Sequence, residues 1–415
     1  MRGRSAKSQM QLSVSARLRR VAAGLALAAA AALLAGCSVS LNQSPQPVPE
    51  EAQPATAPTP PAPPTAAIGA GEVKVGLILP MTAGGNAGAA ARSMKNAAEM
   101  ALAEFNSPNI QLLVKDDGGS TQGAQQAAQQ ALDEGAELLI GPLFAQSVQA
   151  AGQVARGRGV PVMAFSTDSS IAGRGLYLAS FLPETDVDRI LDYAFANGKR
   201  SFAALLPDNA YGSVVEAEFK QGVARRGGRI VTLERYPLDK AALQASIKVV
   251  AQAANQADAL FIPDGAETVP AVVQGLTASG VNVKRLQLLG TGLWDDPLIS
   301  ADPALHGAWF AAPDSAGYKS FSARYRTRFG QEPVRTATLA YDAVALVAAL
   351  VKTQGAQRFS PDVLAGASGF AGIDGIFRFR PDGTNQRGLA VMRVTPSGPQ
   401  VISPPPKTFG ANSGL

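Results

Sequence analysis

Between residues 72 and about 400 the chain alternates short apolar β runs with longer stretches of helical character, and this alternation restricts the fold most. Val73–Leu79 (VKVGLIL) reads as a strand and Asn86–Phe105 as an Ala- and Met-rich helix. Ile110–Val114, Glu137–Ile140 and Val160–Ala164 are further strands, separated by helices at Ser120–Glu134 and Ala145–Arg156. The rhythm restarts at Ser201–Leu206, followed by a helix, Tyr211–Arg225, with Tyr211, Val214, Val215, Phe219 and Val223 on one face. Arg229–Glu234 and Ala259–Ile262 continue as strands, with helices at Ala241–Ala254 and Glu267–Ala278. Strands that alternate with helices form parallel sheets covered by helices on both faces. The fold class is therefore α/β. About 330 residues exceed one comfortable core, so two Rossmann-like lobes are expected, divided near Pro183–Asp186. Ala337–Val351 is almost wholly apolar but too short to span a bilayer, and reads as a buried helix.

Open parallel sheets bind ligands beyond the carboxyl ends of their strands. In a two-lobed chain those ends can face one another across a cleft. The loops concerned are Pro80–Gly88, Gly141–Ser147, Phe165–Ser170, Pro207–Tyr211, Pro263–Glu267 and Gly290–Asp296.

The N-terminus carries a different message. Arg2, Arg4, Lys7, Arg17, Arg19 and Arg20 precede an uncharged apolar run, Val21–Leu34. Such a run rises only about 21 Å as a helix, short of the ~30 Å hydrocarbon core, so it reads as a signal peptide over residues 1–36. Leu34-Ala35-Gly36-Cys37 resembles the bacterial lipobox, which implies cleavage before Cys37 and lipidation of its thiol. Acyl chains contribute roughly 0.8 kcal/mol per buried methylene, so two or three of them would hold the protein on a membrane. Residues 38–71 contain nine prolines and no periodic apolar face, and read as an extended, disordered linker. The expected place is the periplasm, lipid-anchored, with Ser38 after the lipidated cysteine favouring the outer membrane over the inner. Residues 401–415 read as a tail.

Processing also removes a false lead. The whole chain has 37 basic and 32 acidic residues, but residues 1–36 hold six of the former and none of the latter. The remainder is 31 against 32, so the basic character is no nucleic-acid footprint. Cys37 is the only cysteine; once lipidated it leaves no thiol for disulfides, catalysis or metal ligation. His306 is the only histidine, lies in a loop-like stretch and has no G-x-S-x-G partner, so neither a hydrolase triad nor a zinc site is expected. Ala83-Gly84-Gly85-Asn86-Ala87-Gly88 is one residue away from a dinucleotide fingerprint, and its next carboxylates, Asp116 and Asp117, come about ten residues too late. It reads instead as a loop whose backbone is approached closely. Asp342, within the apolar helix, suggests a buried carboxylate bonded to nearby backbone. No enzyme activity, cofactor or metal is expected.

At the cleft loops a family resemblance becomes specific. KVGLILPMTAGGNAGAAARSMKNAAEMALAEFN, LLVKDDGGS, LLIGPLFAQSVQAAGQVARGRGVPVMAFSTDSS, LLPDNAYGS, ALFIPDGAE and LLGTGLWDDP occur in an order that resembles the type I periplasmic-binding fold, in its leucine/isoleucine/valine-binding branch. The resemblance covers nearly all of residues 72–395 and implies a cleft and three crossings between the lobes. It implies a first lobe of about 72–183 and 313–355, and a second of about 184–312 and 356–400 that the hairpin around Gly375–Phe379 would finish.

The resemblance further implies a ligand site. In amino-acid-binding members, first-lobe hydroxyls and amides hold the carboxylate, a second-lobe acid holds the ammonium, and tyrosines close over the ligand. Tyr211 matches a ligand-facing tyrosine, and Ser166 supplies a backbone position. The loop serine falls on Ala145, with Ser147 two residues later; the threonine falls on Asp168, beside Thr167. A second tyrosine falls on Gly265 and the acid near Gly292, so Asp295 or Glu267 would have to replace it. Trp294 is placed with the ligand contacts, core packing being its other reading. The resulting expectation is a small polar, amino-acid-like ligand handed to a membrane permease of an ABC-type system. The alternative comes from relatives of the same fold, the lipoprotein activators of penicillin-binding proteins, which act on peptidoglycan synthesis through protein contacts.

Overall fold

The computed structural model describes residues 66–105, 108–237 and 239–409. The expected signal peptide, Cys37, most of the linker and the last residues of the tail lie outside them. Two parallel sheets organise the chain. The first contains β1 (Ala66–Ile68), β2 (Val73–Leu79), β3 (Ile110–Asp116), β4 (Leu138–Ile140), β5 (Val162–Ala164) and β6 (Leu176–Leu178) in the order β1-β3-β2-β4-β5-β6. All its pairings are parallel except that of the edge strand β1. The second contains β7 (Ser201–Pro207), β8 (Arg229–Tyr236), β9 (Ala259–Phe261), β10 (Gln287–Gly290) and β11 (Trp309–Ala312), running parallel in the order β8-β7-β9-β10-β11.

The strands read as continuous apolar runs because helices cover both faces of each sheet. Every residue of β7 is buried. In the first lobe, Val75, Leu77 and Leu79 of β2 point into one core with Ala91, Met94, Ala98 and the helix Ala337–Thr353. Ile78 points to the other face, against Ala128, Ala131 and Val148. The long apolar helix is thus buried along most of its length, as its composition requires. A β-carbon on Gly88 would come within 2.0 Å of the Ala83 carbonyl oxygen, so the glycine-rich loop exists for backbone approach to its own helix.

Three short strands, β12 (Phe370–Gly372), β13 (Gly375–Phe379) and β14 (Asn385–Arg387), form a separate antiparallel sheet. This hairpin does not finish the second lobe. Phe377 and Phe379 are buried in the first lobe's core, and the Phe379 ring lies 5.3 Å from that of Tyr177 on β6. Phe359 and Leu364 join the same core, so the segment expected in the second lobe from residue 356 belongs to the first as far as Arg387. The chain returns to the second sheet only with β15 (Ala390–Arg393), antiparallel to β11, and β16 (Gln400–Ser403), antiparallel to β15. Two edge strands therefore lie where a linker and a tail were expected: β1 before residue 72 and β16 after residue 400.

The crossings orient the lobes. Residues 179–182 lead from the carboxyl end of β6 straight into the helix Pro183–Ala196. In the first turn of that helix, Asp186 accepts a hydrogen bond from the Gly292 amide, just past the carboxyl end of β10. The carboxyl ends of the two sheets are thus joined by a few residues and face each other. The second crossing leaves β11 at Ala312 for the helix Ser315–Phe329, and the third runs from Arg387 to Ala390.

Candidate functional site

The first-lobe wall is built from four loops. Gly84 precedes the helix Gly85–Glu104 and Phe144 the helix Ala145–Gly157; neither side chain caps its helix. The first-turn amides of both helices therefore lack an N-cap side chain on the cleft side, and a helix N-terminus favours negative charge. Ser147 is buried, with its Oγ 3.4 Å from the Ser120 carbonyl and beside Asp117. It braces its own lobe. Burial raises the pKa of Asp117, whose Oδ1 accepts from the Gly119 amide at 2.9 Å. Ser166 is buried and its Oγ accepts from the Asp168 amide at 3.1 Å. Asp168 in turn caps a short helical turn, accepting from the Ser170 amide at 3.0 Å and its hydroxyl at 2.6 Å. Thr167 is exposed. The fixed turn thus leaves Thr167 open and spends the Asp168 carboxylate on its own backbone.

The second-lobe wall is different in character. Asn209 caps the helix Ala210–Arg225 through the Gly212 amide at 2.8 Å, which fixes Tyr211 in the first turn. The Tyr211 hydroxyl meets the Thr291 hydroxyl at 3.0 Å, and burial raises its pKa. Beside it Asp186 sits 2.9 Å from the Gly292 amide; burial pushes its carboxyl up to about 7, with Glu184 adding to the rise and the amide opposing it. Tyr236, at the end of β8, donates to Asp264, which also accepts from the Gly265 amide at 2.7 Å. Tyr211 interacts electrostatically with Asp186 and Asp264, and Tyr236 with Asp264 and Tyr211, although Tyr236 itself is buried in the second lobe's core.

Of the residues expected to contact a ligand, Tyr211 lies in the first turn of its helix, whereas the Trp294 side chain packs in the core. Its indole is fully buried in the second lobe's core and donates to the Ile262 carbonyl at 3.1 Å. The tight turn Gly292–Trp294 folds the ring beneath Gly290 instead of into the cleft. Asp186, more than a hundred residues earlier, reaches the Gly292 amide, while Asp295 and Glu267 are exposed on their loops. Pro183 and Glu184 mark this segment as a helix start, and nothing local in it points to Gly292. His306 donates from Nε2 to the Ser300 carbonyl, 2.9 Å away. Asp342 is buried, and its Oδ1 accepts from the Ile373 amide at 2.8 Å. Among the described residues no three His, Cys, Asp or Glu side chains gather as metal ligands, and no helix is long and apolar enough to cross a membrane.

Two α/β lobes, joined by three crossings at the mouth of their sheets, define a two-lobed class of protein. The family model described as periplasmic binding protein matches residues 72–399, and the chain belongs to that family. Solved structures share the fold. A Rhodospirillum rubrum protein assigned to branched-chain amino acid ABC transport is 23% identical, with a TM-score of 0.71 over 80% of this chain and 99% of that one. A branched-chain amino acid ABC transporter periplasmic ligand-binding protein of Burkholderia xenovorans is 19% identical, with a TM-score of 0.64 over 82% and 97%. A solute-binding protein of Rhodopseudomonas palustris, in complex with 3,4-dihydroxybenzoic acid, is 23% identical, with a TM-score of 0.57 over 80% and 98%. No curated protein sequence matches the chain.

Proposed function

We propose that the protein is the solute-binding component of an ABC-type uptake system and takes a small amino-acid-like ligand, without catalysis. The observation that carries this reading is the opposite polarity of the two cleft walls. The first offers helix N-termini and the open Thr167, which suit a carboxylate; the second offers Asp186 beside Tyr211, which suits an ammonium. A desolvated zwitterion without such partners would lose several kcal/mol. Relatives of the same fold bear on both ligand types: two are described by branched-chain amino acids and one holds an aromatic acid. An aromatic acid leaves Asp186 without a cation, which favours the amino acid. Cleavage and lipidation at Cys37 would hold the protein in the periplasm, on the outer rather than the inner membrane, within reach of a permease.

A thermal-shift screen of amino acids and hydroxybenzoates tests this. A ligand at a hundredfold excess over its Kd stabilises by about 2.7 kcal/mol. Tyr211→Ala should abolish the response. An unchanged affinity in that variant would refute the placement of the site. A second reading, activation of a penicillin-binding protein, rests on the nine-proline linker and on the engagement of Ser147 and Asp168 within their own lobe. It is favoured if no ligand shifts the protein and the full chain captures a penicillin-binding protein.

A further inference from the structure

The segments that join the lobes are tied to one another, and through one hydroxyl to the Phe165–Ser170 loop. Arg387 ends β14, at the third crossing, and is 5% exposed. Its guanidinium grips the first crossing: Nη2 donates to the Ala179 carbonyl at 2.8 Å and Nε to the Ser180 carbonyl at 3.1 Å. Asn385 reinforces the grip, donating to the carbonyls of Leu178 and Ser180 at 2.7 and 2.8 Å. The Arg387 guanidinium also lies 4.8 Å from the ring centroid of Phe181. Arg335, beyond the second crossing, lies 4.9 Å from the same ring while its fork holds Asp374 at 2.6 and 3.0 Å. One ring on the first crossing is thus flanked by two cations from the segment that lies between the second and third crossings.

Ser180 carries the connection further. Its backbone is held by Arg387 and Asn385, and its hydroxyl donates to the Ser166 carbonyl. Ser166 in turn orders the turn that follows, through the Asp168 amide. A buried guanidinium is a costly way to fill space, since its desolvation is offset only by well-placed acceptors. An aliphatic side chain would pack this position without gripping two successive carbonyls.

We propose that Arg387 is a positioning residue of the ligand site: it couples the angle between the lobes to the setting of the Phe165–Ser170 loop, through Ser180. This rests on the reading of the cleft as the ligand site, which gives that loop its purpose. Closure must bend the first and third crossings together, because Arg387 and Asn385 bind one to the other. Any rotation about Ser180 is then passed to the Ser166 carbonyl, and so to the amides that follow it.

The test uses the full chain and needs no ligand. Hydrogen exchange is followed at residues 166–170. The interlobe distance distribution is read from spin labels on Gln149→Cys and Gln221→Cys, one exposed position on each lobe, in a Cys37→Ser background. Ser180→Ala should speed exchange at 166–170 by about twofold to tenfold, the worth of one neutral hydrogen bond, and leave the distance distribution unchanged. Arg387→Met should speed it by about tenfold or more, because a charged donor is lost, and should also broaden the distribution. A folded Arg387→Met that melts earlier but changes neither readout would reduce the residue to packing and overturn the proposal. Unchanged exchange in Ser180→Ala overturns it as well, and decides the matter if Arg387→Met does not fold. The thermal-shift screen reads the cleft assignment separately, so failure of the coupling and failure of the site are distinguishable.

Discussion

The ionisation of Asp186 gives the ligand reading a quantitative handle. Burial holds its carboxyl at about 7 in the free protein, whereas an ammonium partner requires the charged form. With that value the carboxylate is mostly protonated at pH 6 and mostly ionised at pH 8. The charges of an α-amino acid do not change over this range. Its apparent affinity should therefore strengthen about tenfold from pH 6 to pH 8, and fall about tenfold per further unit of acidification. Binding at pH 7 should release about half a proton as the pair forms. Isothermal titration calorimetry with the amino acid returned by the screen, in two buffers of different ionisation enthalpy, measures both quantities. Asp186→Asn should weaken binding at pH 8 and remove the pH dependence, while the Gly292 amide keeps an acceptor. An affinity that is flat between pH 6 and pH 8 would refute the pairing of Asp186 with the ligand. One that tightens as pH falls would point instead to an anionic group facing a protonated Asp186, as an aromatic acid would present.

Two further expectations concern stability. Trp294→Ala should cost about 3–5 kcal/mol, as for other buried aromatics, whereas Trp294→Phe should leave ligand affinity unchanged, as judged by denaturation and calorimetry. Weakened binding in a stable Trp294→Phe would show that the indole reaches the ligand. Asp342 is raised from 3.8 to about 7 by burial, Asp374 adding to the rise while the Ile373 amide, Arg387 and Arg335 oppose it. The folded state keeps this proton to a higher pH than the unfolded chain, so its contribution is full below the unfolded value. It is lost as pH rises from about 4 to about 7, by up to about 1.4 kcal/mol per unit. Urea denaturation at pH 5 and pH 7 should show a smaller loss for Asp342→Asn than for the wild type; an equal loss would place the titration elsewhere.

The lobes were legible because their strands and helices differ in period and because both faces of each sheet demand continuous apolar runs. The same logic stops at the hairpin. Phe377 and Phe379 alternate as a strand should, but alternation says only that one face is buried, not against which lobe. The edge strands β1 and β16 are too short to carry a period, and pairing with β3 and β15 makes them strands. The turn and helix start at Tyr211 are legible because they are local. The contact between Asp186 and the Gly292 amide is not, since it joins segments distant in the chain. Trp294 failed for a geometric reason: its loop is at the cleft, but a single tight turn decides which way a side chain leaves that loop.

The return of the chain to the second sheet by β15 and β16 also bears on the order in which the molecule can be made. A nascent chain that has emerged only as far as Arg387 holds every strand of the first lobe. Its second sheet, by contrast, still ends on an open β11, because the strand that covers that edge comes after Arg387. An uncovered parallel edge is a template for pairing with another chain. Completion of the second lobe therefore waits on residues 390–403. A truncation just after Arg387 should yield a protein that self-associates through β11, even though the first lobe's strands are all present.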